Sequence, residues 1–133
     1  MALLLALTAC ALLRPSPMAV PDKALVYVYR QALPLGPGGG IRLSDGKDVV
    51  AVLPAGSYTY FYTLPGPRAL KAENPGMSSL PYATSFITGQ TYYLLVYVLG
   101  DQATGDIRLA PVDASTAHFQ MQNLKPVTAN SGH

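Results

Sequence analysis

The residues that could perform acid–base or nucleophilic chemistry are few and lie far apart in this sequence. Glu73 is the only glutamate, and several aspartates fall in predicted turns, loops or a helix cap: Asp45, Asp48, Asp101, Asp106 and Asp113. A glycosidase needs two carboxylates about 5–10 Å apart, and a Ser-His-Asp triad would need His118 or His133 as its base. His118 falls in a predicted helix, as a solvated or interfacial side chain, and His133 falls in a predicted tail. No G-x-S-x-G elbow or phosphate-binding loop is present. The sequence therefore predicts no enzyme, no catalytic residue, no metal site and no cofactor.

The only cysteine, Cys10, is the residue for which the sequence predicts a chemical modification. An apolar run from Ala2 to Leu7 has the character of the hydrophobic region of a secretory signal. The next residues resemble a bacterial lipobox, whose cysteine becomes the mature N-terminus and carries the lipid: Leu7, Thr8, Ala9 and Cys10. No Lys or Arg precedes Arg14, so the basic segment of such a signal is missing. We therefore expect a lipoprotein signal peptide over residues 1–9, with its start assigned too late, and a lipid bilayer anchor on Cys10.

Two other interpretations of this N-terminus stay open. Cleavage after Ala9 would leave a soluble periplasmic protein, whereas an apolar element of a cytosolic domain would bury Cys10 as a small hydrophobic residue. Segment 10–22 favours the lipid anchor, because its prolines suit a tether rather than a helix or strand. Ala11 and Leu12 lack the aspartate that marks inner-membrane retention in many Gram-negative bacteria. The prediction is an outer-membrane lipoprotein that faces the periplasm.

A stripe of tyrosines is the candidate binding surface. In the run from Ser57 to Thr63, strand periodicity places Tyr58, Tyr60 and Tyr62 on one face. Such a stripe is typical of half-buried strand packing with the hydroxyls at the rim. The sharper alternative is a stacking platform for a base or a sugar, although basic residues are missing nearby.

Two arginines and a glycine-rich segment are the remaining polar or flexible features. Arg30 and Arg108 lie in or at the end of predicted strands, where each could pair with a buried aspartate. We expect them instead to be solvent-facing charges that discourage strand addition. The segment Gly36–Gly40 lacks the strand–turn–helix context of a dinucleotide-binding loop, but it could cover a small ligand.

The elements that must position these residues are mostly short strands separated by turns. About eight strands are predicted between Lys23 and Val112, the pattern of an antiparallel β-sandwich in the mainly β class. Within them, Asp45-Gly46 predicts a type I′ turn, and Tyr92–Val98 predicts a central strand covered on both faces. One C-terminal amphipathic helix is predicted over Asp113–Leu124, capped by Asp113. Its apolar stripe would contain Ala114, Ala117, Met121 and Leu124.

The composition agrees with one folded domain that does not bind nucleic acid. The chain has 133 residues, half of them hydrophobic and only 12% charged. The net charge is +2 and the basic residues are scattered, so no patch could follow a phosphate backbone. The predicted organisation is a tether over 10–22, a sandwich with its helix over 23–125, and a frayed tail over 126–133.

The order of several short motifs resembles a known family. Three markers carry the likeness: Tyr27–Arg30, Asp45–Lys47 and Gly89–Tyr93. With the lipobox and the final helix, they make the chain similar to the bacterial lipoproteins catalogued as domain of unknown function 2846, over roughly residues 23–124. The arrangement of Gly56, Tyr58 and Pro65-Gly66 also looks like the PEGA type of surface module. The resemblance implies a β-sandwich at a cell envelope and no reaction. We expect a non-enzymatic lipoprotein that contacts an envelope protein or peptidoglycan, or alternatively a periplasmic small-ligand or glycan-binding module.

Overall fold

The computed structural model describes residues 17, 20–32, 39–100 and 106–130. The predictions for the lipobox, for Cys10 and for most of the glycine-rich segment lie outside these residues. The described residues form one helix, α1 (Ala114–Met121), and ten strands. The strands are β1 (Ala24–Arg30), β2 (Ile41–Asp45), β3 (Asp48–Leu53), β4 (Ser57–Thr63), β5 (Gly66–Asn74), β6 (Met77–Ser78), β7 (Tyr82–Phe86), β8 (Thr91–Leu99), β9 (Asp106–Pro111) and β10 (Lys125–Pro126).

The strands assemble into two sheets. The first has the order β10-β4-β1-β8-β9, and the second has the order β3-β2-β5-β6, with β7 also paired to β5. The predicted mainly β sandwich with one C-terminal helix is therefore confirmed. The expectation that all pairs are antiparallel is wrong for β1–β8 and β10–β4, which are parallel. A parallel pair needs a long crossover connection, and every strand of the second sheet lies between β1 and β8 in the chain.

The core lies between the two sheets and follows from the period-two pattern of their strands. On β1, Val26 and Val28 are fully buried, and on the second sheet Leu43, Leu53 and Leu70 are buried to the same degree. Alternate residues of a strand point to opposite faces, so each strand contributes its inward-facing set to this layer. The core therefore fixes which face of each strand remains available for function.

Arg30 links the two sheets, contrary to the prediction of a solvent-facing charge. It is only 5% exposed at the end of β1. Its Nη1 donates to the carbonyl oxygen of Leu53 at 2.8 Å and to that of Gly39 at 3.1 Å. The guanidinium carries several donors in a fixed plane, which lets one side chain bond two carbonyls. Arg108 does face solvent as predicted, on edge strand β9 and 3.1 Å from Asp106.

Two local predictions in the strands need correction. Gly46 has a φ of +62° but no described non-glycine residue has a positive φ, so Lys47 excludes a type I′ turn. A positive φ at the first central residue alone is the requirement of type II′. Strand β8 does lie between β1 and β9, but only one of its faces is fully covered. Leu94 and Val96 are buried, whereas Leu95 is half-buried on the opposite face.

The C-terminal segment is shorter as a helix and better anchored than the sequence predicts. Asp113 is the N-cap, as predicted, and its side chain accepts a hydrogen bond from the Thr116 amide. Of the expected apolar stripe only Ala117 is buried, and Leu124 lies beyond the helix, which ends at Met121. No helix among the described residues is long and apolar enough to cross a membrane.

Residues beyond the helix are not a frayed end where the structure describes them. Strand β10 pairs with β4, and the Val127 amide then donates to the Tyr58 carbonyl at 2.8 Å. The Asn130 amide donates to the Val50 carbonyl at 2.7 Å, and its side chain donates to the Val49 carbonyl at 2.6 Å. The segment therefore contacts strands of both sheets.

Candidate functional site

Five tyrosines lie together on the outer side of the first sheet, and we call them the tyrosine face. They come from β4, β1 and β8, which are neighbours in that sheet: Tyr58, Tyr60, Tyr62, Tyr27 and Tyr93. In the strand register, Tyr27 lies opposite Tyr60 on one side and Tyr93 on the other. The ring centroids are 5.8 Å apart for Tyr27–Tyr60 and 5.1 Å apart for Tyr27–Tyr93. The second pair is stacked, with an interplanar angle of 14°.

The alternation of β4 explains why three of these rings point outward. Thr59, Phe61 and the residues at either end of the strand are buried between the sheets. The tyrosines in between must then leave on the other face, where Tyr60 is 41% exposed and Tyr58 and Tyr62 are half-buried. The predicted common face of Tyr58, Tyr60 and Tyr62 is confirmed. Whether it binds a ligand or a partner stays a prediction.

Tyr27 is the most perturbed member of the face. Burial, followed by the proximity of the Tyr93, Tyr58, Tyr60 and Tyr62 hydroxyls, raises its pKa to about 12. A phenol in such a cluster stays protonated at neutral pH, because ionisation would place an anion in a poorly solvated group of rings. The Tyr27 hydroxyl is therefore a neutral hydrogen-bonding group, and its ring can stack with a ligand or with its neighbours.

Helix α1 borders the face on one side. The Tyr93 hydroxyl and His118 Nε2 are 2.8 Å apart, and their rings meet edge to face with centroids 5.1 Å apart. Tyr29 lies fully buried beside the helix, where its hydroxyl donates to the Gln120 side chain. Burial, with a smaller effect of Asp113, raises the pKa of Tyr29. The prediction that His118 is a solvated or interfacial side chain is confirmed, because the side chain is exposed and contacts Tyr93 where the helix meets the sheet.

Sequence reasoning missed two members of the tyrosine face. In the sequence, Tyr27 belongs to an alternating pattern of tyrosines and Tyr93 is one of two adjacent tyrosines. Their place beside Tyr60 depends on the pairing of β1 with both β4 and β8. That pairing joins segments far apart in the chain, since β4 starts 27 residues after the end of β1 and β8 follows later still.

The other candidate groups do not come together. In the described part of the chain, no three His, Cys, Asp or Glu side chains are placed to hold a metal ion. Cys10 and the lipobox residues Leu7, Thr8 and Ala9 lie outside the described residues. No protein-family model matches this chain, and no curated protein matches it. The resemblance to the family of domain of unknown function 2846 therefore stays a prediction.

Proposed function

We propose that this protein is a non-enzymatic lipoprotein of the bacterial cell envelope, and that the tyrosine face is its contact surface for an envelope protein or for peptidoglycan. In this proposal Cys10 carries the lipid, residues 10–22 form the tether, and the sandwich is displayed on the periplasmic side of the outer membrane. The N-terminal sequence supports the anchor. The likeness to the family of domain of unknown function 2846 supports the envelope location.

The observation that carries the contact surface is the row Tyr60–Tyr27–Tyr93 across three adjacent strands. Tyrosine supplies a large ring with few rotatable bonds, so it loses little conformational entropy on binding. Its hydroxyl can both donate and accept at the edge of a contact. Tyrosine is accordingly enriched where proteins bind their partners. The tyrosine face offers five such side chains on a scaffold that the sheet holds in place.

Photo-cross-linking in intact cells tests this surface. A photoreactive phenylalanine analogue is placed at Tyr60, the most exposed tyrosine of the face, and in a second protein at Leu80. Leu80 is the matched control because it is apolar and 80% exposed but belongs to the loop between β6 and β7. We expect a cross-linked product at Tyr60 and none at Leu80. Sensitivity of that product to a muramidase would identify peptidoglycan, and a resistant product of defined mass would identify a protein.

Lipid attachment is tested separately. Palmitate labelling should mark the wild-type protein and be lost in Cys10→Ala, which should also move from the membrane to the soluble fraction. Labelling that survives this substitution would exclude the anchor, because Cys10 is the only cysteine. Identical cross-linking patterns at Tyr60 and Leu80 would exclude the contact surface and leave the anchor unaffected.

The second candidate function is a periplasmic module for a small glycan. The exposed ring of Tyr60 favours it, since an aromatic ring that is 41% exposed can receive the apolar face of a sugar. Soluble peptidoglycan fragments should then raise the melting temperature of the wild-type protein but not that of Tyr60→Ser. A protein-sized cross-link at Tyr60 with no response to these fragments would reject this candidate.

A further inference from the structure

A groove on the outer side of the second sheet, away from the tyrosine face, places an arginine beside a glutamate. Its volume is about 480 Å³, within the usual range for small-molecule sites. Residues of β2, β3, β5 and β6, together with Gly40 before β2 and the turn between β5 and β6, line it. Those that matter for binding are Gly40, Arg42, Val52, Glu73, Asn74 and Met77.

The strand register arranges the lining in order across the sheet. Arg42 lies opposite Val52 on β3 and opposite Glu73 on β5. From β3 to β5, the side chains across the groove are therefore apolar, cationic and anionic in that order. Val52 is 51% exposed, which leaves apolar surface open beside Arg42.

The two charges are free to act on a ligand. Among the described residues Arg42 and Glu73 do not form an ion pair with each other or with any other side chain. Glu73 accepts one long hydrogen bond, 3.4 Å from the Ser44 hydroxyl, which leaves its other acceptor positions available. Arg42 is exposed and keeps its donors for a carboxylate, which a guanidinium can bind through two parallel hydrogen bonds.

The groove edge is held in place around these charges. The Asn74 side chain donates to the Gly40 carbonyl at 3.1 Å, so the chain entering β2 is tied to the end of β5. A Cβ at Gly40 would lie 2.3 Å from Val52 Cγ1, so a larger residue at this position would require the Val52 methyl group to move. Met77 packs partly against the core and closes the anionic end.

We propose that this groove binds a short zwitterionic peptide, with its carboxylate on Arg42 and its ammonium group on Glu73. Opposite residues of an antiparallel pair have Cα atoms about 4.5–5.5 Å apart. The terminal charges of an extended dipeptide are separated by roughly 6 Å, from standard backbone lengths, whereas those of a single amino acid lie much closer together. The order of the lining also sets the direction: the C-terminal side chain lies on Val52, and the N-terminal residue lies towards Met77.

The test uses the dipeptide Ala-Leu and the full-length, isotope-labelled protein in detergent micelles, followed by nuclear magnetic resonance. We expect shift changes that cluster at the groove residues. Arg42→Gln and Glu73→Gln should each weaken binding about two- to fivefold, the effect of one solvent-exposed charge pair. Arg108→Gln is the matched control, because it removes an exposed arginine from an edge strand of the other sheet, and it should leave binding unchanged.

Two blocked peptides assign each charge to its partner. N-acetyl-Ala-Leu lacks the ammonium group, so its binding should no longer respond to Glu73→Gln. Ala-Leu amide lacks the carboxylate, so its binding should no longer respond to Arg42→Gln. Absence of binding by Ala-Leu, or equal binding of the free and blocked peptides, would overturn the proposal. Shift changes confined to the tyrosine face would do so as well. Neither result bears on the cross-linking experiment, because the two surfaces belong to different sheets.

Discussion

Replacement of Arg30 by methionine gives the strongest test of how the two sheets are joined. The side chain is 5% exposed and bonds two backbone carbonyls, those of Leu53 and Gly39. A hydrogen bond to a charged group contributes about 1.5–3 kcal/mol to stability. Two such bonds at about 1.5 kcal/mol each mean that Arg30→Met should lower the free energy of unfolding by about 3 kcal/mol. Methionine keeps much of the apolar volume, so the loss reports the bonds rather than a cavity.

The assay is urea unfolding followed by circular dichroism, with the free energy of unfolding taken from the midpoint and slope. Arg30→Lys should lie between wild type and Arg30→Met, because an ammonium group keeps the charge but lacks the planar fork that reaches two acceptors. Arg108→Met is the control, and its exposed pair with Asp106 should contribute less than about 0.5 kcal/mol.

The reasoning fails if Arg30→Met and Arg108→Met lose the same free energy. That outcome would mean that the bonds to Leu53 and Gly39 only offset the cost of burying the guanidinium. Burial does lower the pKa of Arg30, which is the signature of that cost. A loss of free energy of unfolding well above that of Arg108→Met would instead show that the bonds stabilise the fold by more than burial of the guanidinium costs.

Three further predictions concern single side chains. The Thr59 hydroxyl is buried with no hydrogen-bond partner among the described residues, so Thr59→Val should raise the free energy of unfolding by about 1 kcal/mol; a lower urea midpoint would contradict this. The pKa of Tyr27 is higher in the folded state, at about 12. The contribution of Tyr27 to the free energy of unfolding is therefore complete below the unfolded pKa of about 10 and is lost as the pH rises through 12. Ultraviolet titration should show late-ionising phenols, since the pKa of Tyr29 and that of Tyr93 are also raised by burial; Tyr27→Phe should remove the one near 12, and an unchanged curve would refute the assignment. Hydrogen bonds from the Ser115 and Thr116 hydroxyls, and then from the Thr116 amide, lower the pKa of Asp113 to about 2. Its stabilisation of the helix is therefore present above about pH 4 and lost as the pH falls towards 2. Amide exchange at Thr116 should show this acid-induced opening in wild type, and Asp113→Ala should already be open at neutral pH.

The features that the sequence predicts correctly depend on neighbours within a few residues. The alternation along β4 places Tyr58, Tyr60 and Tyr62 on one face, because successive residues of a strand point to opposite sides of the sheet. Asp113 is recognisable as a cap because its side chain needs only the amide three residues later. The turn at Gly46 lies one residue later than the Asp45-Gly46 pattern predicts and is of another type, because Asp45 pairs with Asp48 and Lys47 becomes the second central residue.

Features that join distant segments required the tertiary structure. The parallel pairing of β1 with β8 brings Tyr27 and Tyr93 into one row, and no local pattern encodes which strands become neighbours. The same holds for Arg30, whose acceptor on β3 turns an expected surface charge into a buried link. The sequence predicts a frayed tail after the helix, because the hydrogen-bond partners of this segment lie far away in the chain, on β4 and β3.

By itself, the sequence determined the class of fold, the positions of most strands, the helix cap and the common face of the three β4 tyrosines. These follow from side-chain periodicity and local hydrogen bonding, which act over a few residues. Only the tertiary structure decided the five-membered tyrosine face, the burial of Arg30 and the Arg42–Glu73 groove. The physical reason is that strand pairing is a long-range choice, fixed by how the inward faces of all the strands pack into one core.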